Sequence, residues 1–278
     1  MIFIKLRWGL RLLAFLVPAA VASLVVMFFV RALPAIEHEG LALFTTARWD
    51  AQHEQYGLLP ALLGTLITTA VALAIALPLA VSFAVFVNEV VPQRYRGLVS
   101  SFMDATASLP TVVYGLWGLT VLTRYIYEYF GTTTSLLTAS LLLSIVITPY
   151  AAAIIREGYA SIPREIVEAI YALGATKAEA IYIKLRYIKN YLLGGTFLAM
   201  GRAMGETVAV AMVVGGNYVS LPTNLLNSGV TISSLIALQF PNAQIANYME
   251  PALMAAAFVL AAVGLAINTT AVYFLFRR

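Results

Sequence analysis

Arg202 and Glu206 are the residues whose type and spacing carry the clearest chemistry. They are the only charges in an apolar run from Tyr191 to Val214. At about 1.5 Å per helical residue that run can cross a bilayer core of about 30 Å. Both charges then fall near the midplane, where one charge costs at least about 2.5 kcal/mol. The i, i+4 spacing puts them on one helix face, where they partly neutralise each other. That face must look into protein or water rather than lipid. Two roles fit: a structural ion pair that locks helices together, or a polar element lining a solute path. A guanidinium presents paired N–H donors that suit an oxyanion. Ionisable residues inside a membrane mark functional sites by default, so Arg202, Glu206 and the adjoining Thr207 are taken as candidate path residues.

Other candidates carry less. Asp104 lies about two turns inside the start of an apolar run, where charges are cheap, and a capping or snorkelling role fits it better than a solute contact. Tyr114 and Trp117 read as packing residues. His38 and His53 stand among Glu37, Glu39, Asp50 and Glu54, but their spacing follows no ligand motif, so a solvated acidic loop is expected and no metal site. The chain has no G-x-x-x-x-G-K-[ST], no H-E-x-x-H and no G-x-S-x-G. No catalytic residue, no enzyme activity and no cofactor is expected, and any ATP-driven work must come from another chain. With no cysteine, disulfide frameworks and thiolate metal sites are excluded.

The elements that must position these residues are membrane helices. Of the 278 residues, 61% are hydrophobic and 11% charged, against about 25% charged in ordinary soluble domains. Six spans can be drawn: Leu12–Val30, Leu58–Val87 with Pro78 as a kink, Leu98–Thr123, Thr132–Ile155, Tyr191–Val214 and Pro251–Phe276. None shows the alternation of a membrane barrel. The first is too long for a leader's apolar stretch and reads as a retained helix. All Lys and Arg except Arg31, Arg48, Arg124 and Arg202 fall in the N-terminus, 88–97, 156–190 and the C-terminus. That bias puts both termini and those loops in the cytoplasm. The net charge of +4 therefore reflects topology, not nucleic acid. On the outer side, 215–250 carries Gly215, Gly216, Pro222 and Pro241 and is expected to form a cap or short helices, not a seventh span.

The longest cytoplasmic segment, 156–190, has its own pattern. Ser161-Ile162-Pro163 starts a helix. Ile166, Val167, Ile170 and Leu173 give it one apolar face. Gly174 stops it. Thr176 and Glu179 have capping-box spacing and open a second short helix. Such a pair could lie on the membrane surface or present a knob to a soluble partner.

Glu168-Ala169-Ile170-Tyr171-Ala172-Leu173-Gly174-Ala175 resembles the E-A-A-x-x-x-G loop of ABC importer permeases, with Ile170 in place of the second alanine. The family's I-x-L-P ending is matched less well by Ile183-Lys184-Leu185-Arg186. Gly201-Arg202-Ala203-Met204-Gly205-Glu206-Thr207-Val208-Ala209-Val210 closely resembles the G-R-A-x-G-E-T-x-A-V signature of phosphate importer permeases of the PstC type. Leu109-Pro110-Thr111-Val112-Val113-Tyr114-Gly115-Leu116 and Ser233-Ser234-Leu235-Ile236-Ala237 are similar to further stretches of that family. The resemblance runs from about Leu58 to the C-terminus.

It implies an all-α membrane protein with the six-helix type I ABC importer permease (MetI-like) fold. Residues 1–57 would form a first transmembrane helix and outer loop, and 58–278 the permease domain. The implied function is that of a permease subunit of an ATP-driven phosphate importer in the cell membrane. The implied partners are a second permease, two ATP-binding subunits docked through the 161–186 loop at Glu168, Ala169 and Gly174, and an external phosphate-binding protein, with lipid around the assembly. The alternatives are a PstA-type partner, a permease for molybdate or sulfate, or, in another class, a passive channel, secondary carrier or membrane scaffold. A carrier would show more intramembrane acids or paired broken helices. A scaffold would not need Arg202 and Glu206.

Overall fold

Long apolar segments must satisfy every backbone N–H and C=O internally in a bilayer, and the helix does so. In the computed structural model, residues 2–276 are described, with side chains from Phe15 onward. Helix α1 (Ile2–Glu39) leads to the short α2 (Ala42–Thr45). A two-residue hairpin follows, β1 (Trp49–Asp50) antiparallel to β2 (Gln55–Tyr56). At its tip the Asp50 carboxylate meets His53 at 2.7 Å and accepts the backbone N–H groups of Gln52 and His53. These contacts hold its pKa down at about 2.

Helix α3 (Leu59–Val85) runs through Pro78 as one helix and ends in a π-type turn, Phe86–Val90. Then come α4 (Gln93–Ser108), α5 (Thr111–Trp117), a π-type turn at Gly118–Leu122, α6 (Thr123–Phe130) and α7 (Leu136–Ala160). The chain closes with α8 (Arg164–Ala172), α9 (Lys177–Tyr187), α10 (Lys189–Gly205), α11 (Val208–Val213), α12 (Ile232–Gln239) and α13 (Met249–Phe276).

Among the described residues four helical stretches are long and apolar enough to cross a membrane: Phe15–Glu39, Leu59–Val90, Leu136–Ala160 and Met249–Phe276. Two of the spans drawn from hydropathy need correction. The stretch Leu98–Thr123 is not one helix: the chain bends by 84° between α4 and the α5–α6 rod. Pro110 is the cause, because a proline ring pushes the preceding residue out of the helical region, and Leu109 has ψ 136°. The stretch Tyr191–Val214 is also interrupted. Its helix ends at Gly205 and resumes at Val208.

The longest seam is α3 against α7. Ala72, Ala76, Ala80 and Ala84 form a fully buried small-residue stripe. Small residues let backbones approach closely where lipid removes the hydrophobic drive between helices. They pack with Leu142, Leu143, Ile147 and Ile155 of α7 in one core. A second core joins Leu43, Trp49 and Tyr56 to Ile232 and Leu235 of α12 and Met249 and Leu253 of α13. Helix α12 is the short helix expected within 215–250. Thr231 caps it, accepting the Ser234 N–H, while the Ser234 hydroxyl accepts the Thr231 N–H at 2.8 Å. Gly64 of α3 lies under the Val230 carbonyl, where any Cβ would collide with backbone.

Candidate functional site

The break in the α10–α11 element forms the site. Glu206 is extended (φ −69°, ψ 119°) and Thr207 has φ −107°, ψ −60°, so neither continues the helix. Non-helical backbone at membrane depth is tolerated where protein buries it or where it lines a water-filled cavity. Here protein holds it. The Ser233 hydroxyl donates to the Glu206 carbonyl at 2.8 Å, and the Glu206 carboxylate accepts the Ala209 N–H at 3.3 Å. Glu206 thus serves the start of α11 as a capping acid, where the positive end of a helix favours a carboxylate.

Arg202 and Glu206 still pair, at 2.7 Å, although they no longer share one continuous helix. Their surroundings differ: the Arg202 side chain is 31% exposed and that of Glu206 is 3% exposed. The guanidinium carbon lies 5.4 Å from the ring centre of Tyr150, near the middle of α7. Gly205 is exposed, with nothing within 4 Å of where a Cβ would stand. The accessible side of the break is therefore open at Arg202 and Gly205. Gly201, by contrast, packs on Asn268 of α13, so of the two glycines in G-x-x-x-G only Gly201 makes an internal helix contact. The Thr207 hydroxyl donates to the Gly205 carbonyl at 3.2 Å and does not join the ion pair.

Glu168, Ala169 and Gly174 lie elsewhere, on the exposed α8–α9 corner. Pro163 precedes α8, and Gly174 between the helices has φ +82°, a left-handed value suited to glycine. The Thr176–Glu179 capping box is formed in both directions, and its hydrogen bonds lower the Glu179 pKa. Ile166, Val167 and Ile170 turn inward as the sequence pattern requires. Leu173 does not: it is 88% exposed, because the helix ends at Ala172 and the Gly174 turn points it outward. Glu168 is held by Arg164 at 2.8 Å. Asp104 pairs with Arg156 of α7 at 3.2 Å, a structural contact. His38 stacks on Tyr248 with 4.1 Å between ring centres, well apart in partner from the His53–Asp50 contact.

Sequence reasoning missed three residues around these features. Tyr150 and Ser233 contact the break from other helices, and only Ser233 fell within a recognised stretch. Glu89 reads as a loop acid but is buried against Lys184 and Tyr159. No local signal marks a partner 95 positions away.

The fold is a bundle of membrane helices, one of them broken around an ion pair with a half-open cation and a buried carboxylate, with two short helices forming an exposed corner. Solved structures bear out that fold. An inward-facing MetNI methionine ABC transporter chain aligns with TM-score 0.58 and 17% identity, covering 80% of this chain and 95% of that one. A bacterial alginate importer chain aligns with TM-score 0.51 and 18% identity, covering 94% and 95%.

Residues 76–278 match the family of binding-protein-dependent transport system inner membrane components, and the chain belongs to that family. A probable phosphate transport system permease protein PstC of Methanocaldococcus jannaschii is 40% identical, over 90% of this chain and 86% of that protein. The PstC of Xylella fastidiosa strain Temecula1 is 33% identical over 87% and 81%. That of Haemophilus influenzae is 30% identical over 84% and 80%.

Proposed function

We propose that this chain is a permease subunit of an ATP-driven phosphate importer. It forms the translocation path with a second permease and couples to two ATP-binding subunits through residues 161–186. An external phosphate-binding protein delivers the anion. The observation that carries the reading is the half-accessible Arg202 held by a buried Glu206 at a helix break, in a chain whose relatives are phosphate permeases by name.

A phosphate anion is heavily penalised in a low-dielectric path unless donors or positive charge meet it. Arg202 supplies both, with Thr207 beside it on the path. Glu206 balances the guanidinium when no anion is present and keeps its orientation through the Ala209 and Ser233 contacts. The exposed Ala169, Leu173 and Gly174 corner, with Glu168 at its edge, is the docking knob for the ATPase. Residues 58–278 form the permease unit, and 1–57 add a helix and an outer hairpin. The Lys and Arg bias supports a cytoplasmic position for α8–α9 and both termini. The test is purification of the complex, followed by uptake of radiolabelled phosphate into vesicles. Co-purifying ATPase and phosphate-dependent uptake are expected; uptake of sulfate or molybdate instead would redirect the substrate.

A further inference from the structure

We infer that Glu89, Lys184 and Tyr159 form a buried positioning lock that joins the α8–α9 loop to α3 and, through α3, to the Arg202–Glu206 break. This rests on the reading of α8–α9 as an ATPase-docking loop. The Lys184 ammonium meets a Glu89 oxygen at 2.7 Å, with side chains only 5% and 11% exposed. The Tyr159 hydroxyl donates to the same oxygen at 2.5 Å. The ammonium also lies 5.3 Å from the ring centre of Tyr171. One cation on α9 therefore touches α8 through Tyr171, α7 through Tyr159 and the end of α3 through Glu89. Arg96 of α4 closes the corner by donating to the carbonyls of Asn88 and Val91.

Packing alone does not account for this cluster. Two buried charges carry a large desolvation penalty, and apolar side chains of similar volume commonly serve stability as well or better. What an ion pair with a third donor adds is a fixed geometry. Its place is also informative. Glu89 sits in a π-type turn, a feature frequent at functional sites. At the other end of α3, the Thr65 hydroxyl accepts the Ile232 N–H at 2.9 Å, and neighbouring Ser233 donates to the Glu206 carbonyl. Between these ends α3 is a continuous helix seated along α7. A shift of α9 is thus carried to Glu89, along a stiff rod, to α12 and the break. A cleft of about 330 Å³ is lined by Glu89, Tyr159, Tyr171 and Lys184.

The test uses the reconstituted complex with its ATPase and phosphate-loaded binding protein. Glu89→Gln strands the Lys184 charge and should lower assembly. The double variant Glu89→Leu, Lys184→Met leaves no stranded charge and should assemble better than Glu89→Gln, while hydrolysis stimulated by the loaded binding protein falls about tenfold below that of the parent. Tyr159→Phe keeps the ion pair and the packing and should cut stimulation about threefold with assembly unchanged. A double variant that assembles and is stimulated like the parent overturns the lock. Should the double variant fail to assemble, unchanged stimulation in Tyr159→Phe overturns it equally. An unaltered chain that does not retain the ATPase overturns the docking reading instead.

Discussion

Arg202–Glu206 and Lys184–Glu89 are ion pairs of the same length, 2.7 Å. The first joins residues four apart across a helix break, and its cation is partly accessible. The second joins residues 95 apart and is buried on both sides. A buried pair satisfied from several helices fixes where those helices sit. A pair with one open partner can exchange that partner for a ligand, because the guanidinium has donors beyond those the carboxylate occupies. Pair length alone does not report role; the asymmetry of burial does.

Several experiments can break or sharpen this contrast. The largest effect is all-or-none and asks which end faces the cytoplasm. Lys177 and Gln52 are both exposed, and the chain has no native cysteine. A cysteine at position 52 should react with an impermeant thiol reagent in sealed right-side-out vesicles, and one at 177 should not. The reverse pattern would place the Lys184 lock on the outer side and remove its link to an ATPase.

Next are the single changes at the break. Arg202→Gln keeps an N–H donor for Glu206 but removes the cation, so the complex should assemble while phosphate uptake falls by at least about a hundredfold, the size expected for a lost charged contact. Glu206→Gln should reduce uptake less, by leaving Arg202 unbalanced. Equal loss of assembly in both variants, read by co-purification of the partner subunits, would make the pair structural and erase the contrast.

A smaller effect is expected at the α8–α9 corner. Gly174→Val forces a β-branched residue into φ +82°, a strain of about 1–2 kcal/mol. No neighbour lies within 4 Å of the new Cβ, so the strain falls on the turn and not on the bundle. Insertion should be normal and ATPase retention weakened; undiminished phosphate-stimulated hydrolysis would argue against docking there.

Much of this was readable in the sequence for physical reasons. The i, i+4 pair is local, the capping box at Thr176 and Glu179 is local, and a glycine between two short amphipathic helices announces a turn. The break at Gly205–Thr207 was not readable. Gly-Glu-Thr contains no proline, and what stops the helix is Ser233 arriving from α12 and the Glu206 carboxylate turning to Ala209. The bend at Pro110 had its local signal, but hydropathy averaged over Leu98–Thr123 outweighed it. The Glu89–Lys184 pair left no trace, since a charge near a span end looks like a loop charge until the fold buries it. Nor could spacing tell which member of the Arg202–Glu206 pair would be open.

The most direct measurement is the charge exchange Arg202→Glu with Glu206→Arg, scored for assembly and for phosphate uptake. If Arg202 meets the anion, the exchanged complex fails to transport phosphate even where it assembles, because the guanidinium moves to the buried position past the break and a carboxylate faces the path. Full uptake by the exchanged pair would contradict the account and leave the two charges as a helix lock and nothing more.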